Sequence, residues 1–218
     1  PSQEEVSRRR AGSVRSVSRA VYIAFEGSEA SGKSTQARIL AEALGAVHTR
    51  ETGGTAIGER LREILHDVTV TDLDDRAEAL MTAADRAQHL ATVVEPALAA
   101  GRHVVSDRSV YSTLAYQGYG RGLPLDDLRS INEWAVRGRW PELVILLTVS
   151  PATLERRMGK RDLDRFERAG ADFHARVDQG FRAMAAADPE RWVIVDADQP
   201  IDAVTAEIRA AVTGRLDV

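Results

Sequence analysis

One eight-residue segment restricts the possible folds more than any other part of the sequence. The pattern G-x-x-x-x-G-K-S/T is matched at every specified position by Gly27-Ser28-Glu29-Ala30-Ser31-Gly32-Lys33-Ser34. This segment follows an apolar run, Val21–Phe25, and opens a helical pattern. In such a loop, backbone N–H groups turn inward on phosphate oxygens, and the helix N-terminus adds its positive end. The sequence therefore predicts a nucleoside triphosphate site between a strand and a helix.

Three side chains of this loop have predicted chemistry. Lys33 is expected to reach the outer phosphates, and the Ser34 hydroxyl is expected to hold Mg²⁺. Glu29 is an acid in a loop that attracts phosphate, so it either has a further task or points into solvent. That task is contact with a sugar hydroxyl of a second substrate or orientation of the metal.

Five short apolar runs predict strands, and several are continuous, as is typical of parallel strands covered on both faces. They are Val21–Phe25, Ala46–Thr49, His103–Ser106, Leu143–Val149 and Trp192–Asp196. The helical patterns between them are Gln36–Leu44 (ended by Gly45), a stretch capped by Asp74 and running to Leu98, Asp126–Val136, Pro151–Met158, Asp172–Ala187 and Ile201–Val212. This alternation predicts an α/β fold of the P-loop NTPase type, a doubly wound parallel sheet of about five strands with helices on both faces.

The composition limits the partners. The 218 residues suit one α/β domain, expected at 21–218. The net charge of −4 provides no basic field for nucleic acid, and no apolar run reaches the roughly 18 residues of a membrane span. Cysteine is absent, which excludes thiol chemistry and agrees with a cytoplasmic location.

The arginine-rich stretch 1–20 has too few apolar residues to offset the entropy of ordering. We expect a flexible extension there. The alternative is a basic arm that contacts a partner.

Two further strand ends carry charged groups. Asp107 and Arg108 follow the third apolar run, where an acid can hold the Mg²⁺ shell through water and an arginine can grip a phosphate. Arg50 ends the second run and precedes Gly53 and Gly54, which permit close approach of a ligand. The same stretch also fits a turn followed by a helix capped by Thr55.

A charge-rich segment near 156–167 is expected to form a closing lid. Its arginines can deliver positive charge to a developing transition state while excluding water. A solvated helix of mixed charge is the alternative interpretation. Its charged residues are Arg156, Arg157, Lys160, Arg161, Asp162, Asp164, Arg165 and Glu167.

Several ordered motifs resemble bacterial thymidylate kinases, which phosphorylate dTMP to dTDP with ATP and Mg²⁺. The resemblance extends from about Tyr22 to Val212 and rests on FEGSEASGKST, TRETGGT, ALMTAADRAQH, SDRSVYSTLAYQG, RRMGKRDLDRFE and VDADQP. It implies a homodimer joined by packed helices. Because Ala30 stands where some relatives have a catalytic arginine, the resemblance is to the type whose lid supplies the cations.

The resemblance also implies site residues. The catalytic residues would be Lys33, Arg108, Lys160 and Arg161, and the metal would be held by Ser34 and Asp107. The ATP site would comprise Gly27 to Ser34, Thr35 and Arg156, which lies against the adenine. The acceptor site would comprise Glu29 at the sugar 3′-hydroxyl, Arg50 and Arg108 at the phosphate, Arg86, Thr113 and Gln117 at the base, and the lid acids Asp164 and Glu167.

Two positions depart from the family pattern. Thr52 replaces a proline, which removes a fixed dihedral angle from the turn after Arg50. Thr82 replaces the phenylalanine that stacks on thymine, and base–aromatic stacking contributes roughly 1–3 kcal/mol. Either another side chain covers the base, or acceptor affinity is lower, or the acceptor differs.

The sequence therefore predicts ATP-dependent phosphorylation of dTMP. Thr52 and Thr82 motivate a second hypothesis, a kinase for another nucleoside monophosphate. A third hypothesis, an ATP-binding module without transfer activity, would predict a damaged loop or missing lid cations, and the sequence has neither.

Overall fold

A five-stranded parallel sheet forms the centre of the molecule. The computed structural model describes residues 19–159, 163–216 and 218. The strands are β1 (Tyr22–Gly27), β2 (Val47–Arg50), β3 (Val104–Asp107), β4 (Leu143–Thr148) and β5 (Trp192–Asp196). Their order is β2-β3-β1-β4-β5, and every neighbouring pair is parallel. The predicted fold class is confirmed; β5 has the predicted bounds, and the ends of the other strands differ from the prediction by at most two residues.

Helices connect successive strands. They are α1 (Lys33–Leu44), α2 (Ala56–His66), α3 (Asp75–His89), α4 (Glu95–Ala99), α5 (Val110–Thr113), α6 (Leu125–Val136), α7 (Pro151–Met158), α8 (Ala171–Ala187) and α9 (Ile201–Arg215). Two π-helical segments, Leu90–Val94 and Leu114–Gly120, continue α3 and α5, and Glu167–Ala169 forms a 3₁₀ turn. Within the described residues, no helix has both the length and the apolar character needed to cross a membrane.

Local sequence signals set several helix ends. The Asp74 carboxylate accepts hydrogen bonds from the backbone N–H groups of Arg76 and Ala77, at 2.9 and 3.2 Å. Thr55 Oγ1 caps α2 by accepting from Gly58 N at 2.9 Å. Gly45 ends α1 with a φ of 60°, a left-handed conformation that glycine adopts without a Cβ penalty. The predicted caps at Asp74 and Thr55 and the stop at Gly45 are confirmed.

Both faces of the sheet are buried, which explains the continuous apolar runs. Along β4, Val144 and Leu146 face one hydrophobic core, and Leu143, Ile145 and Leu147 face the other. The first core includes Phe173 and Phe181 of α8, and the second includes Leu40 of α1 and Ile208 of α9. Helices therefore cover both faces, as predicted.

The path from β3 to α6 was not predicted as helical. Residues 110–120 form α5 and its π-helical continuation. This segment carries Thr113, Tyr116 and Gln117 past the carboxyl ends of β1 and β3. The sheet and this segment together form the walls of a cavity.

Candidate active site

A cavity of about 400 Å³ lies at the carboxyl ends of β1, β2 and β3. In parallel α/β sheets, ligands bind at this edge. The lining contains a large part of the predicted site: Glu29, Ala30, Gly32, Lys33, Ser34, Thr35, Arg50, Arg86, Asp107, Arg108, Thr113, Gln117 and Asp164.

The phosphate loop joins β1 to α1 as the motif requires. Gly27 has a φ of 140°, and a Cβ there would lie 2.4 Å from the Leu147 carbonyl oxygen. Lys33 is buried, and its Nζ donates to the Ser28 carbonyl oxygen at 2.6 Å. Burial and the neighbouring Arg108 lower the pKa of the Lys33 ammonium. The backbone of the loop therefore holds the Lys33 ammonium in place.

Ser34, in the first turn of α1, contacts Asp107 at the end of β3. The Ser34 hydroxyl donates to Asp107 Oδ2. Asp107 Oδ1 is buried and has no hydrogen-bond partner among the described residues. Mg²⁺ in nucleotide enzymes takes one or two carboxylates, waters and phosphate oxygens. The hydroxyl and the unpaired carboxylate oxygen fit this coordination chemistry.

Glu29 is paired rather than directed into solvent. The Arg108 guanidinium donates to the Glu29 carboxylate, to Tyr116 Oη at 2.9 Å and to Ser112 Oγ at 3.1 Å. Tyr116 Oη also donates to Glu29 Oε1 at 3.2 Å. Burial raises the pKa of Glu29, but the charges of Arg108 and Lys33 outweigh burial and lower it to about 2. Glu29 is therefore an anion in the neutral pH range.

Glu26 lies beneath this pair and was not predicted as a site residue. It is fully buried at the end of β1 and accepts from Ser109 N at 2.9 Å, Ser109 Oγ at 2.8 Å and Ser112 Oγ at 2.6 Å. Burial raises its pKa to about 7. Since Ser112 Oγ also accepts from Arg108, Glu26 supports the position of that arginine. The available signal was an acid directly after the apolar run Val21–Phe25.

Arg86 is buried and held on several sides. Its Nε donates to Glu51 at 2.8 Å, and its terminal nitrogens donate to Thr113 Oγ1 at 3.1 Å, the Ser109 carbonyl at 3.2 Å and Asn132 Oδ1. A guanidinium has five N–H donors. These contacts use four of them, which leaves one N–H for a ligand in the cavity that Arg86 lines.

Glu51, which accepts a hydrogen bond from Arg86, also contacts a buried histidine. His89 Nδ1 lies 2.9 Å from Glu51 Oε1, and His89 Nε2 lies 2.7 Å from Thr49 Oγ1. Arg86 and His89 lower the pKa of Glu51 although burial acts to raise it. The side chain of Glu51 is therefore fixed as an anion beside Arg86. The peptide bond that follows it, Glu51–Thr52, is cis.

A third arginine joins the two predicted at the acceptor phosphate. Arg50 is half-exposed and pairs with Glu59 of α2. Arg62, also on α2, lines the cavity and donates to the Thr52 carbonyl at 3.2 Å. Burial, together with Arg50 and Arg108, lowers the pKa of Arg62. Sequence reasoning missed Arg62 because it stands alone in an ordinary helical pattern.

The lid segment is described in part. Lys160 and Arg161 lie outside the described residues. Asp164 contacts His66 Nδ1 at 2.7 Å and accepts from Glu167 N at 2.9 Å. Phe166 lines the cavity beside Asp164, whereas Glu167 begins the following 3₁₀ turn.

Two arginines of α7 differ in their contacts. Arg156, predicted at the adenine, donates to Thr153 Oγ1 at 3.1 Å. Arg157, predicted only as one of the lid arginines, donates to the carbonyls of Ala30 and Ser31 at 3.3 Å and of Ala197 at 2.8 Å. Arg157 therefore ties α7 to the phosphate loop.

Comparisons with known proteins agree on one family. Residues 25–208 match the family model described as thymidylate kinase. A thymidylate kinase of Desulfovibrio desulfuricans is 44% identical over 209 residues, covering 90% of this chain and 96% of the relative. One of Solidesulfovibrio magneticus is 46% identical over 209 residues, covering 90% and 100%. The crystal structure of thymidylate kinase from Ehrlichia chaffeensis aligns with a TM-score of 0.74 at 28% identity, covering 89% of this chain and 98% of that chain.

Proposed function

The chain belongs to the thymidylate kinase family, and on that premise we propose how its residues perform the ATP-dependent phosphorylation of dTMP to dTDP. The observation that carries the proposal is the position of Arg108. Its guanidinium lies in the cavity against the phosphate loop, where it donates to the Gly27 carbonyl at 3.4 Å and to the Glu29 carboxylate. An arginine there can contact the acceptor phosphate while the loop holds the donor phosphates.

On the donor side, the backbone N–H groups of the loop and Lys33 bind the phosphates of ATP. Ser34 and Asp107 would hold Mg²⁺, since the Ser34 hydroxyl and the unpaired Asp107 Oδ1 fit its preference for oxygen ligands. When bound, Mg²⁺ neutralises charge on the phosphate oxygens. Arg156 lies against the adenine.

On the acceptor side, Arg50, Arg62 and Arg108 bind the phosphate of dTMP. Glu29 accepts a hydrogen bond from the sugar 3′-hydroxyl, which an anion with a pKa of about 2 does throughout the neutral range. Asp164 and Glu167 lie on the lid side of the acceptor.

At the base, Arg86 presents its one remaining N–H and Gln117 presents its amide. A donor beside an acceptor complements thymine, whose O4 accepts and whose N3–H donates. Cytosine has the reverse pattern at both positions. Thr113 holds Arg86 in place, and its own hydroxyl donates to Thr82 Oγ1 at 3.2 Å.

The transfer itself needs no general base. A phosphate oxygen of dTMP attacks the terminal phosphorus of ATP, so catalysis consists of positioning and stabilisation of charge. Since Ala30 supplies no cation within the loop, we assign the transition-state cations to Lys160 and Arg161 together with Lys33 and Arg108.

Phe166 is our candidate for the aromatic cover that Thr82 does not supply. It lines the same cavity and packs edge-on against Tyr116, with ring centroids 5.9 Å apart. The relatives do not favour a different acceptor, the hypothesis that Thr82 and Thr52 motivated.

We also propose a homodimer. Adjacent helices α2, α3 and α6 carry the exposed apolar side chains Ile57, Ile64, Leu80 and Trp134. Exposed apolar groups on packed neighbouring helices are typical of an association surface. The cytoplasmic location stays a prediction.

The assignment is tested by steady-state rates with ATP, Mg²⁺ and each of dTMP, dCMP and dGMP. We expect the highest kcat/KM for dTMP, and a dTMP rate no better than the others contradicts the acceptor assignment. Lys33→Ala should lower kcat by at least about 100-fold, since it removes a preorganised charge at the phosphates. Arg38→Ala, on the exposed side of the same helix, is the matched control.

A further inference from the structure

Glu78 is a fully buried carboxylate that three side chains contact at once. It lies in the first turn of α3, and its Oε1 accepts from Gln117 Nε2 at 2.7 Å. Arg121 donates to Oε1 at 3.3 Å and to Oε2 at 3.1 Å, and Arg165 donates to Oε2 at 2.5 Å. The donors come from the π-helical segment, the residue after it and the lid segment.

These contacts fix which way the Gln117 amide faces. A carboxylate anion accepts hydrogen bonds and donates none, whereas an amide carries a donor end and an acceptor end. Gln117 must therefore turn its NH₂ toward Glu78, which turns its Oε1 the other way. That oxygen accepts no hydrogen bond from the described part of the chain, and Gln117 lines the cavity.

The orientation matters for the base that the cavity accepts. Thymine carries a hydrogen on N3, whereas N3 of cytosine is a bare acceptor. We propose that Glu78 is a specificity-determining positioning residue, which holds the Gln117 amide so that the cavity offers an acceptor to N3–H of thymine. This inference rests on the proposed role of Gln117 at the base.

The two arginines keep Glu78 in this role. Arg121 contacts both of its oxygens and Arg165 contacts the second, so rotation of the carboxylate would break contacts with both. Arg165 also donates to the Leu65 carbonyl at 2.8 Å, which holds it at the end of α2. Its chain neighbours Asp164 and Phe166 line the cavity. The Glu78 carboxylate therefore contacts both Gln117, which we propose at the base, and Arg165 of the lid segment.

Glu78→Gln tests the inference because it keeps the shape of the side chain and adds a donor. The new amide can donate to Gln117 Oε1, which allows the Gln117 amide to turn over. The experiment measures kcat/KM for dTMP and for dCMP in the wild type, Glu78→Gln, Gln117→Ala and the double variant. The control is Glu95→Gln, which removes a carboxylate bonded to Arg139 at 2.7 Å outside the cavity.

We expect the dTMP-to-dCMP ratio of kcat/KM to fall about tenfold in Glu78→Gln, mainly through KM for dTMP, because one hydrogen bond to a buried group is lost. Glu95→Gln should keep the ratio. In the Gln117→Ala background, Glu78→Gln should change the ratio little, since the amide through which it acts is gone. A merely structural role would lower activity toward both substrates equally.

The other possible results contradict either the role of Glu78 or the contact of Gln117 with the base. An unchanged ratio in Glu78→Gln, alongside a reduced ratio in Gln117→Ala, overturns the inference and leaves the role of Gln117 intact. An undiminished effect of Glu78→Gln in the Gln117→Ala background also overturns it. A wild-type ratio in Gln117→Ala removes the proposed base contact itself, and the inference with it.

Discussion

At the scale of single residues, Thr82 changes what the acceptor cavity offers to a base. Its hydroxyl donates to the Ala79 carbonyl at 2.8 Å, so the side chain is held against its own helix. A threonine provides no ring face for stacking. Among the described residues, Phe166 and Tyr116 are the phenylalanine and the tyrosine that line the cavity.

Phe166→Leu should therefore raise KM for dTMP. Loss of base–aromatic stacking of about 1–3 kcal/mol corresponds to an increase of roughly 5- to 150-fold. KM for ATP should stay near its wild-type value. Phe173→Leu is the control, because Phe173 also packs against Tyr116 but lies in the core outside the cavity. Equal KM values for dTMP in the wild type and Phe166→Leu would contradict the stacking role.

Glu26 predicts a pH dependence of stability. Burial raises its pKa from 4.5 to about 7, so the folded chain binds more protons than the unfolded chain between these values. Its contribution to the free energy of unfolding therefore falls as pH rises from about 4.5 to about 7, by roughly 3 kcal/mol. Glu26→Gln lacks this loss.

Urea denaturation of the wild type and Glu26→Gln between pH 4.5 and 8 measures the difference directly. We expect the variant to gain stability relative to the wild type as pH rises, with most of the gain complete near pH 7. Parallel pH profiles for the two proteins would show that Glu26 does not titrate in this range.

Much of the site follows from the sequence, because its residues stand in motifs at strand ends. The phosphate loop was identified by its motif after the first apolar run, and Asp107 and Arg108 by their position after the third. Glu26, Arg62 and Glu78 are different, since each is a single charged residue inside a regular pattern. Their neighbours in space come from other segments, so only the register of the strands and helices reveals them.

At the scale of elements, α8 packs closely on the π-helical segment that carries Tyr116 and Gln117. A Cβ added at Gly180 would lie 2.6 Å from the ring of Tyr119, and one at Gly120 would lie 2.6 Å from Phe173. Small residues on both elements therefore set their distance. The sequence did not predict this segment as helical, because Gly118 and Gly120 interrupt any helical apolar pattern.

Gly180→Ala should destabilise the protein by about 1–3 kcal/mol, since the ring of Tyr119 must move. Gly214→Ala in α9 is the control. A Cβ there meets nothing within 4 Å, so we expect a gain of roughly 0.4–1 kcal/mol from lower unfolded-state entropy. Thermal melting of the three proteins measures both effects. Equal melting temperatures for the two variants would contradict the close packing.

At the scale of the whole molecule, the strand order could not be read from the sequence. The apolar runs of the five strands overlap in length and composition, although β1, β3 and β4 are almost fully buried in the structure and the edge strands β2 and β5 are partly exposed. Alternation of strands and helices fixes a parallel sheet, but the position of β3 between β2 and β1 depends on packing. Which apolar side chains remain exposed on the surface is likewise decided only when the helices pack together.

Leu80→Glu should weaken the proposed homodimer. Leu80 is 55% exposed on α3, and a buried unpaired carboxylate at an interface costs several kcal/mol. We expect a dimer for the wild type and a monomer for the variant in sedimentation velocity. Ile194→Glu, which adds the same charge to an exposed isoleucine of β5, should remain a dimer. A monomeric wild type or a dimeric Leu80→Glu would contradict this interface.

The adjacency of Asp107 and Arg108 has a consequence for how this chain can evolve. The side chains of these consecutive residues contact different residues of the phosphate loop, Asp107 contacting Ser34 and Arg108 contacting Glu29. The pairing of β3 with β1, in which Asp107 is level with Phe25, sets which loop residue each of them contacts. A one-codon deletion in β3 would place Arg108 at the position of Asp107 beside Ser34, and a one-codon insertion would place Ser106 there. Gene lineages can therefore vary in length across the largely exposed residues 67–73, but not across this strand.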